Sequence, residues 1–181
     1  LKGLGKSQEA EVSTRKAIKL NPDYAIGHSN LGSILKDLGQ LKEAEFFTRK
    51  AIKLNPNFAN AYTNLGGILN DLGKLKEAEF SYREAIKIKP DYAEAHSNLG
   101  NLLKKLGNLP EAEKSCRKAI ELNPNLAEAY LNLGGIFKDS CKYEAAINTY
   151  QKAIKLDSNC SFTKYEIITT RRIEIPNSTT N

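Results

Sequence analysis

"HSNLGSILKDLGQLKEAE", from His28 to Glu45, returns as "YTNLGGILNDLGKLKEAE" from Tyr62 and as "HSNLGNLLKKLGNLPEAE" from His96, and a looser copy, "YLNLGGIFKDSCKYEAAI", starts at Tyr130. Pro22, Pro56, Pro90 and Pro124 recur at that same even interval. A period of about 34 residues is the signature of a stacked array of helical hairpins. Within the first copy Leu31, Ile34, Leu35 and Leu38 fall at i, i+3, i+4 and i+7, the buried stripe of one helix. Leu41, Ala44, Thr48, Ala51 and Ile52 repeat the spacing and predict a second helix. Gly39, matched by Gly73 and Gly107, stands between the two, where a helix ends in a left-handed residue that Gly adopts without strain. The fourth copy has Ser140-Cys141 in place of Leu-Gly, which predicts a strained or wider inner turn.

The junction between copies carries its own signals. Each Pro is followed by Asp23, Asn57, Asp91 or Asn125, side chains expected to accept from the free N–H groups of the next helix. Asp91 with Glu94, and Asn125 with Glu128, have capping-box spacing. Gly32, Gly66, Gly100 and Gly134 are expected to face Ala44, Ala78, Ala112 and Ala146, letting the two helices of a hairpin approach closely.

These positions, Leu31-Gly32, Ala44, Ala51, Pro56 and their equivalents in the next three copies, resemble the tetratricopeptide repeat (TPR) family over roughly residues 1 to 158. Two departures are that the family's large first-helix aromatic is His28 or His96 in two copies, and that its later aromatic is Leu35, Leu69 or Leu103. The resemblance implies an all-α fold, a right-handed α-α superhelix. Its four full repeats would lie at 25–58, 59–92, 93–126 and, more divergent, 127–160. Residues 1–24 would supply a partial repeat, mainly one second helix from about Ser7 to Leu20. Its apolar Leu4, Val12, Ala17 and Ile18 lack a full partner, which predicts end-to-end self-association. After Asp157 the phase is expected to fail, because Glu166 stands where Asn belongs and Ile168 where Gly belongs. Residues 161–181 are then a capping segment, with Phe162, Tyr165 and Ile168 on one side of a short helix, followed by a polar tail or truncated linker, "RRIEIPNSTTN".

Composition excludes several function classes. The chain has 181 residues, 40% of them apolar and 27% charged, the make-up of a folded globular protein. No apolar run approaches the roughly 18 residues that cross a bilayer, and nothing resembles a secretory signal, so the expectation is no membrane and a cytoplasmic setting. With no methionine and a leucine at position 1, the sequence is expected to be a fragment or a processed piece. Cys116, Cys141 and Cys160 form no C-x-x-C pair and predict neither a disulfide framework nor a zinc site. "GLGKS" at Gly3 to Ser7 imitates the end of a phosphate loop, but repeat phase places Gly5 with Gly39 in an ordinary helix turn. His28 and His96 are two repeats apart, too far to share a metal, and read as half-buried substitutes for an aromatic. The net charge of +6 has a local origin. Glu43, Glu45, Glu77, Glu79, Glu111 and Glu113 open second helices, and Arg49, Lys50, Arg83, Lys87, Arg117 and Lys118 close them, each sign complementing the helix dipole. Glu45 to Arg49, Glu79 to Arg83 and Glu113 to Arg117 are also favourable i, i+4 pairs. No nucleic-acid partner, cofactor or metal is expected, and no nucleophile with a base suggests an enzyme.

What is left is the asparagine before each Leu-Gly pair: Asn30, Asn64, Asn98 and Asn132. One residue before the stripe puts it about 100 degrees around the helix, beside the buried face. In the TPR family the first helices line the concave side, so these four would form a ladder there. Asn70, Asn101, Lys36, Lys104 and Lys138 flank it, as do Ser29, Thr63 and Ser97. A carboxamide both donates and accepts, and so pairs with a peptide backbone regardless of side chains. In this the copies resemble the repeat arm of O-linked N-acetylglucosamine transferase-type proteins, where such a ladder holds extended chains. A second reading stays open, because the same Asn belongs to the general family pattern, where it serves packing or solubility. The functional expectation is a protein-interaction scaffold binding an extended peptide on the concave face. The alternative is the substrate-recruiting arm of a larger enzyme of glycosyltransferase or sulfotransferase type.

Overall fold

The computed structural model describes residues 2–157 and 161–174, and within them the chain is built of helices joined by short turns, with no strand. It divides into two compact units, Leu1–Pro90 and Asp91–Asn181. The first contains α1 (Lys2–Leu20), α2 (Ala25–Asp37), α3 (Leu41–Leu54), α4 (Ala59–Asp71) and α5 (Leu75–Ile88). The second contains α6 (Ala93–Lys105), α7 (Leu109–Leu122), α8 (Ala127–Asp139), α9 (Tyr143–Leu156) and α10 (Ser161–Glu174). Inside each unit every helix packs on its neighbour in sequence, and first helices also touch across one repeat, α2 against α4 and α6 against α8.

The buried stripe is where the periodicity puts it. Leu31, Leu35, Ala44 and Ile68 form a closed cluster, with Ile18, Phe47 and Leu72 packed around it. Ile34 and Leu38 of the same stripe are half-buried. Burying each such Leu fully stabilises by roughly 1.5 to 3 kcal/mol. The three glutamate–arginine pairs form at 2.8–2.9 Å. Others join neighbouring helices: Arg15 reaches Glu43 and Arg49 reaches Glu77, each at 2.8 Å.

Several expectations are corrected. The residues after each proline do not cap the helices. The caps are Tyr24, Phe58, Tyr92 and Leu126, none with a side-chain capping bond. Instead the Asn before the proline folds the loop: Asn21, Asn55 and Asn123 accept through Oδ1 from the N–H of residues 23, 57 and 125 at 3.1–3.3 Å, an Asx turn. The hairpin glycines do sit where helices meet: a Cβ at Gly32 or Gly100 would lie 3.2 or 3.1 Å from the carbonyl of the expected Ala44 or Ala112, and at all four glycines the side chain four residues beyond the Ala comes closer still. A Cβ at Gly66 would lie 2.6 Å from the Tyr82 ring and one at Gly134 2.5 Å from Tyr150, while Gly32 and Gly100 are closed off by Thr48 and Cys116.

The fourth inner turn is not wider. Cys141 takes φ 57°, where Gly39, Gly73 and Gly107 take 76°, 76° and 79°. Its N–H donates to the Lys138 carbonyl at 3.0 Å and that of Lys142 to Phe137 at 2.8 Å, the pattern of Gly39 on Lys36 and Gln40 on Leu35. The turn is therefore kept at the cost of a left-handed cysteine, about 1–2 kcal/mol.

The ends also differ from expectation. No turn occurs at Gly5, because α1 runs unbroken from Lys2. Val12 is 69% exposed, whereas Ala17 is half-buried and Ile18 packs on the core; the Leu4 side chain lies outside the described residues. After Asp157 the phase does not fail: α10 begins at Ser161, one repeat length beyond the start of α8 at Ala127, and packs against α9. It also absorbs the start of the expected tail, through Glu174. Ile168 is exposed, while the side chains of Phe162 and Tyr165, and residues 175–181, lie outside the described residues.

Candidate binding face

The asparagines stand where their spacing puts them, beside the buried stripe of α2, α4, α6 and α8, but they are not equivalent. Asn30 is exposed, Asn64 and Asn98 are half-buried, and Asn132 is only 8% exposed. Asn64 donates through Nδ2 to Ser29 Oγ at 3.1 Å. Asn132 does the same within the second unit, to Ser97 Oγ at 3.0 Å and to the Ser97 carbonyl at 3.4 Å. In both cases the partner sits on the preceding first helix, so this bond ties adjacent repeats together. It also explains why Ser29 and Ser97 are buried rather than lining a groove; Thr63 is buried as well, donating to the Ala59 carbonyl. One end of each anchored carboxamide is thereby spoken for. Oδ1 has no partner among the described residues and stays open to water, since the only fully enclosed unpartnered side-chain atom among them is His28 Nδ1.

The flanking positions split in the same way. Lys36 approaches Asp71 at 3.6 Å and lies next to Gly67. Asn70 touches Asp71 at 3.5 Å. In the second unit Asn101, Lys104, Asn132 and Lys138 do come together, lining a cleft of about 270 Å³ with Gly135 and Glu166. Lys138 is closed off there by a 2.5 Å ion pair with Glu166 of α10. Lys104 has no ion pair among the described residues. Glu166 occupies the Asn rung of α10, and its place one repeat length beyond Asn132 was the signal for it. The hydroxyl of Tyr150 donates to the same carboxylate at 3.5 Å, a role that no feature of the repeat pattern signals. Burial and that carboxylate push its phenol well above the usual range.

The remaining motifs have structural placements. Gly3 to Ser7 lies inside α1. His28 is fully buried, not half-buried; its Nε2 donates to the Pro22 carbonyl at 2.8 Å and its ring stacks on Phe47 at 5.8 Å. Burial pushes the Cys116 thiol up to about 12, so it is inert as a nucleophile. Among the described residues no group of three His, Cys, Asp or Glu could hold a metal, and no helix is long and apolar enough to cross a membrane.

Comparison with known proteins agrees with this architecture. No curated protein matches the chain. Among solved structures, MamA shares 23% identity (85% of this chain, 90% of that one, TM-score 0.71). A thermophilic TPR protein of Thermus thermophilus shares 21% (95% and 94%, TM-score 0.83). YrrB, described as a TPR protein with an unusual peptide-binding site, shares 25% (89% and 83%, TM-score 0.67). The tetratricopeptide repeat pattern itself matches residues 25–58, 93–126 and 127–160, and related TPR patterns match 66–107 and 47–80. With more than half of the sequence matched in phase and the hairpins built as that phase requires, the chain belongs to the tetratricopeptide repeat family.

Proposed function

We propose that the chain is a protein-interaction scaffold that binds an extended polypeptide segment on the face carrying Asn30 and Asn64 in the first unit and on the face carrying Asn98 and Asn132 in the second. The observation that carries this reading is the anchored carboxamide. The bond from Asn64 to Ser29, and from Asn132 to Ser97, holds the side chain in one orientation and leaves Oδ1 as a fixed acceptor. A fixed acceptor beside a groove suits a peptide N–H, and it loses little rotamer entropy on binding. Lys104 adds a cationic flank; Lys36 and Lys138 do so only when Asp71 and Glu166 release them. The proposal contains no catalytic step. Affinity is modest, because ordering a flexible segment offsets much of the contact energy.

The test selects a binding segment from a peptide-display library on the wild-type chain and measures its affinity for Asn64→Ala/Asn98→Ala. At about 0.5 to 1.5 kcal/mol per hydrogen bond, the expected loss is roughly five-fold to over a hundred-fold. Asn132 is left intact because its burial would confound binding with folding. Unchanged affinity accompanied by a large fall in Tm would assign the asparagines to the fold alone.

A further inference from the structure

The first unit carries a second, chemically different cleft. Between α3, α4 and α5 lies a space of about 510 Å³ with an apolar lining of Ile52, Tyr62, Leu65, Leu69 and Phe80. Repeat symmetry places the same cleft one repeat earlier and again two repeats later, and in both the protein covers the aromatic floor itself. In the earlier copy Phe47 stands at the position of Ser81. Its ring stacks on His28, the counterpart of Tyr62, and Arg15 lies 5.4 Å over it. In the later copy Phe137 replaces Leu69, with Arg117 5.5 Å over its ring, and Lys152 lies 4.7 Å over Tyr130. That copy keeps about 440 Å³, but Asn148 forms the wall where Phe80 stands in the first unit.

The copy at Tyr62 has none of these covers. Ser81 is small, Glu84 replaces the lysine, and among the described residues no ring or cation lies over Tyr62. Phe80 is 63% exposed at the mouth. The rim differs in charge as well: Lys53 and Lys76 stand where the later copy has Glu121 and Glu144, and the Glu77 that lines the cleft is paired with Arg49 at 2.8 Å. Both lysines are exposed and have no ion pair among the described residues.

We infer that this cleft is a docking site, separate from the asparagine face, for a partner protein segment that inserts one aromatic side chain flanked by carboxylates. The ring takes the place that Phe47 fills from within in the preceding repeat, and the carboxylates meet Lys53 and Lys76. A pocket of this size with an apolar floor, ringed here by Arg49, Lys53, Lys76 and Glu77, suits a single anchoring side chain with charged neighbours. Opposite charge at the rim speeds and selects the encounter.

The chain has no tryptophan, so the fluorescence of a probe peptide, acetyl-Asp-Glu-Trp-Glu-Asp-amide, reports its own burial. Saturable blue-shifted binding is expected, lost when the probe's Trp is changed to Ala. Ser81→Phe, which copies the internal plug, lowers affinity by about tenfold or more and raises Tm; Lys53→Glu/Lys76→Glu lowers affinity by about tenfold at low salt. Asn64→Ala/Asn98→Ala leaves it unchanged, which separates this site from the peptide face. Should Ser81→Phe fail to fold by circular dichroism, Leu69→Phe, which copies the later repeat, blocks the cleft in its place. No saturable shift, or binding that survives both the plug and the charge reversal, overturns the proposal. Loss of binding in the asparagine double variant would overturn it too, by moving the probe to the other face. A wild-type dimer that the plug dissolves would replace the partner segment with a second copy of the chain.

Discussion

The hairpins α4–α5 and α8–α9 are the same repeat element, two repeats apart, and differ in what they leave open. Both have helices of 13 and 14 residues, and both press a glycine against a tyrosine ring, Gly66 on Tyr82 and Gly134 on Tyr150. Around that common frame the accessible chemistry diverges. In α4–α5 the rung Asn64 is half-buried, the turn is made by Gly73 and the outer cleft is lined by Phe80. In α8–α9 the rung Asn132 is buried, the turn is made by Cys141 and the outer aromatics lie under Arg117 and Lys152. Positions that meet inside a hairpin set the backbone; positions at its edges decide which faces can receive a partner.

The largest expected effect breaks the common frame. Gly66→Leu and Gly134→Leu should each cost about 3 kcal/mol, because a side chain there drives into a tyrosine held by its own helix. The neighbouring change has the opposite sign. A Cβ at Gly67 meets nothing nearer than 3.5 Å, so Gly67→Ala should stabilise by about 0.5 to 1 kcal/mol through helix propensity. Chemical denaturation of the pair checks both, and equal effects would show that the repeat phase is off by one.

Next comes the contact that distinguishes the second unit. Glu166→Ala removes the partner of Lys138 and should weaken docking of α10 by about 2 kcal/mol. Faster hydrogen exchange confined to α10 would report it, while exchange in α4 stays unchanged.

How much of this was legible follows the same division. The periodicity of Leu31 and Leu35, the glycine turns and the close approach at Gly66 all rest on interactions within one hairpin, which the repeat states directly. The capping residues were misread because a proline followed by Asp or Asn looks like a cap, whereas the Asn before the proline spends its side chain on the loop. The closing of the cleft beside Asn132 depends on α10, and Glu166 at the rung position disguised that helix as the end of the array. The open outer cleft is a matter of absence, a Ser81 where the preceding repeat has Phe47, and only the packed structure shows what that absence exposes.

Smaller effects sharpen the comparison. Cys141→Gly should stabilise the second unit by about 1 kcal/mol by relieving the left-handed cysteine, and Gly73→Ala should cost the first unit a similar amount; matched melting curves check the symmetry. The smallest effect is one the two units share. Burial alone would raise the carboxyls of Glu45 and Glu113, but hydrogen bonds from Lys74 and Arg49, and from Arg117 and Lys142, outweigh it and hold both below the usual range. A carboxylate with a lowered folded-state pKa contributes stability above its ordinary value of 4.5, and that stability is lost as pH falls through the folded value. Tm measured from mildly acidic conditions downward through the carboxylate range should therefore fall, and Glu45→Gln/Glu113→Gln should flatten the decline.

The central claim, that the anchored asparagines offer fixed acceptors to a peptide backbone, is tested most directly by an N-methyl scan of a bound peptide. Within one unit, rungs on successive first helices, about 10 Å apart, meet an extended chain that rises about 3.3 Å per residue at every third position. Methylating one backbone amide at a time removes one donor and leaves every side chain in place. The account predicts that affinity falls at every third amide, and that the losses opposite the two removed rungs disappear in Asn64→Ala/Asn98→Ala while the others remain. A flat profile, or losses that follow side-chain identity alone, would contradict it.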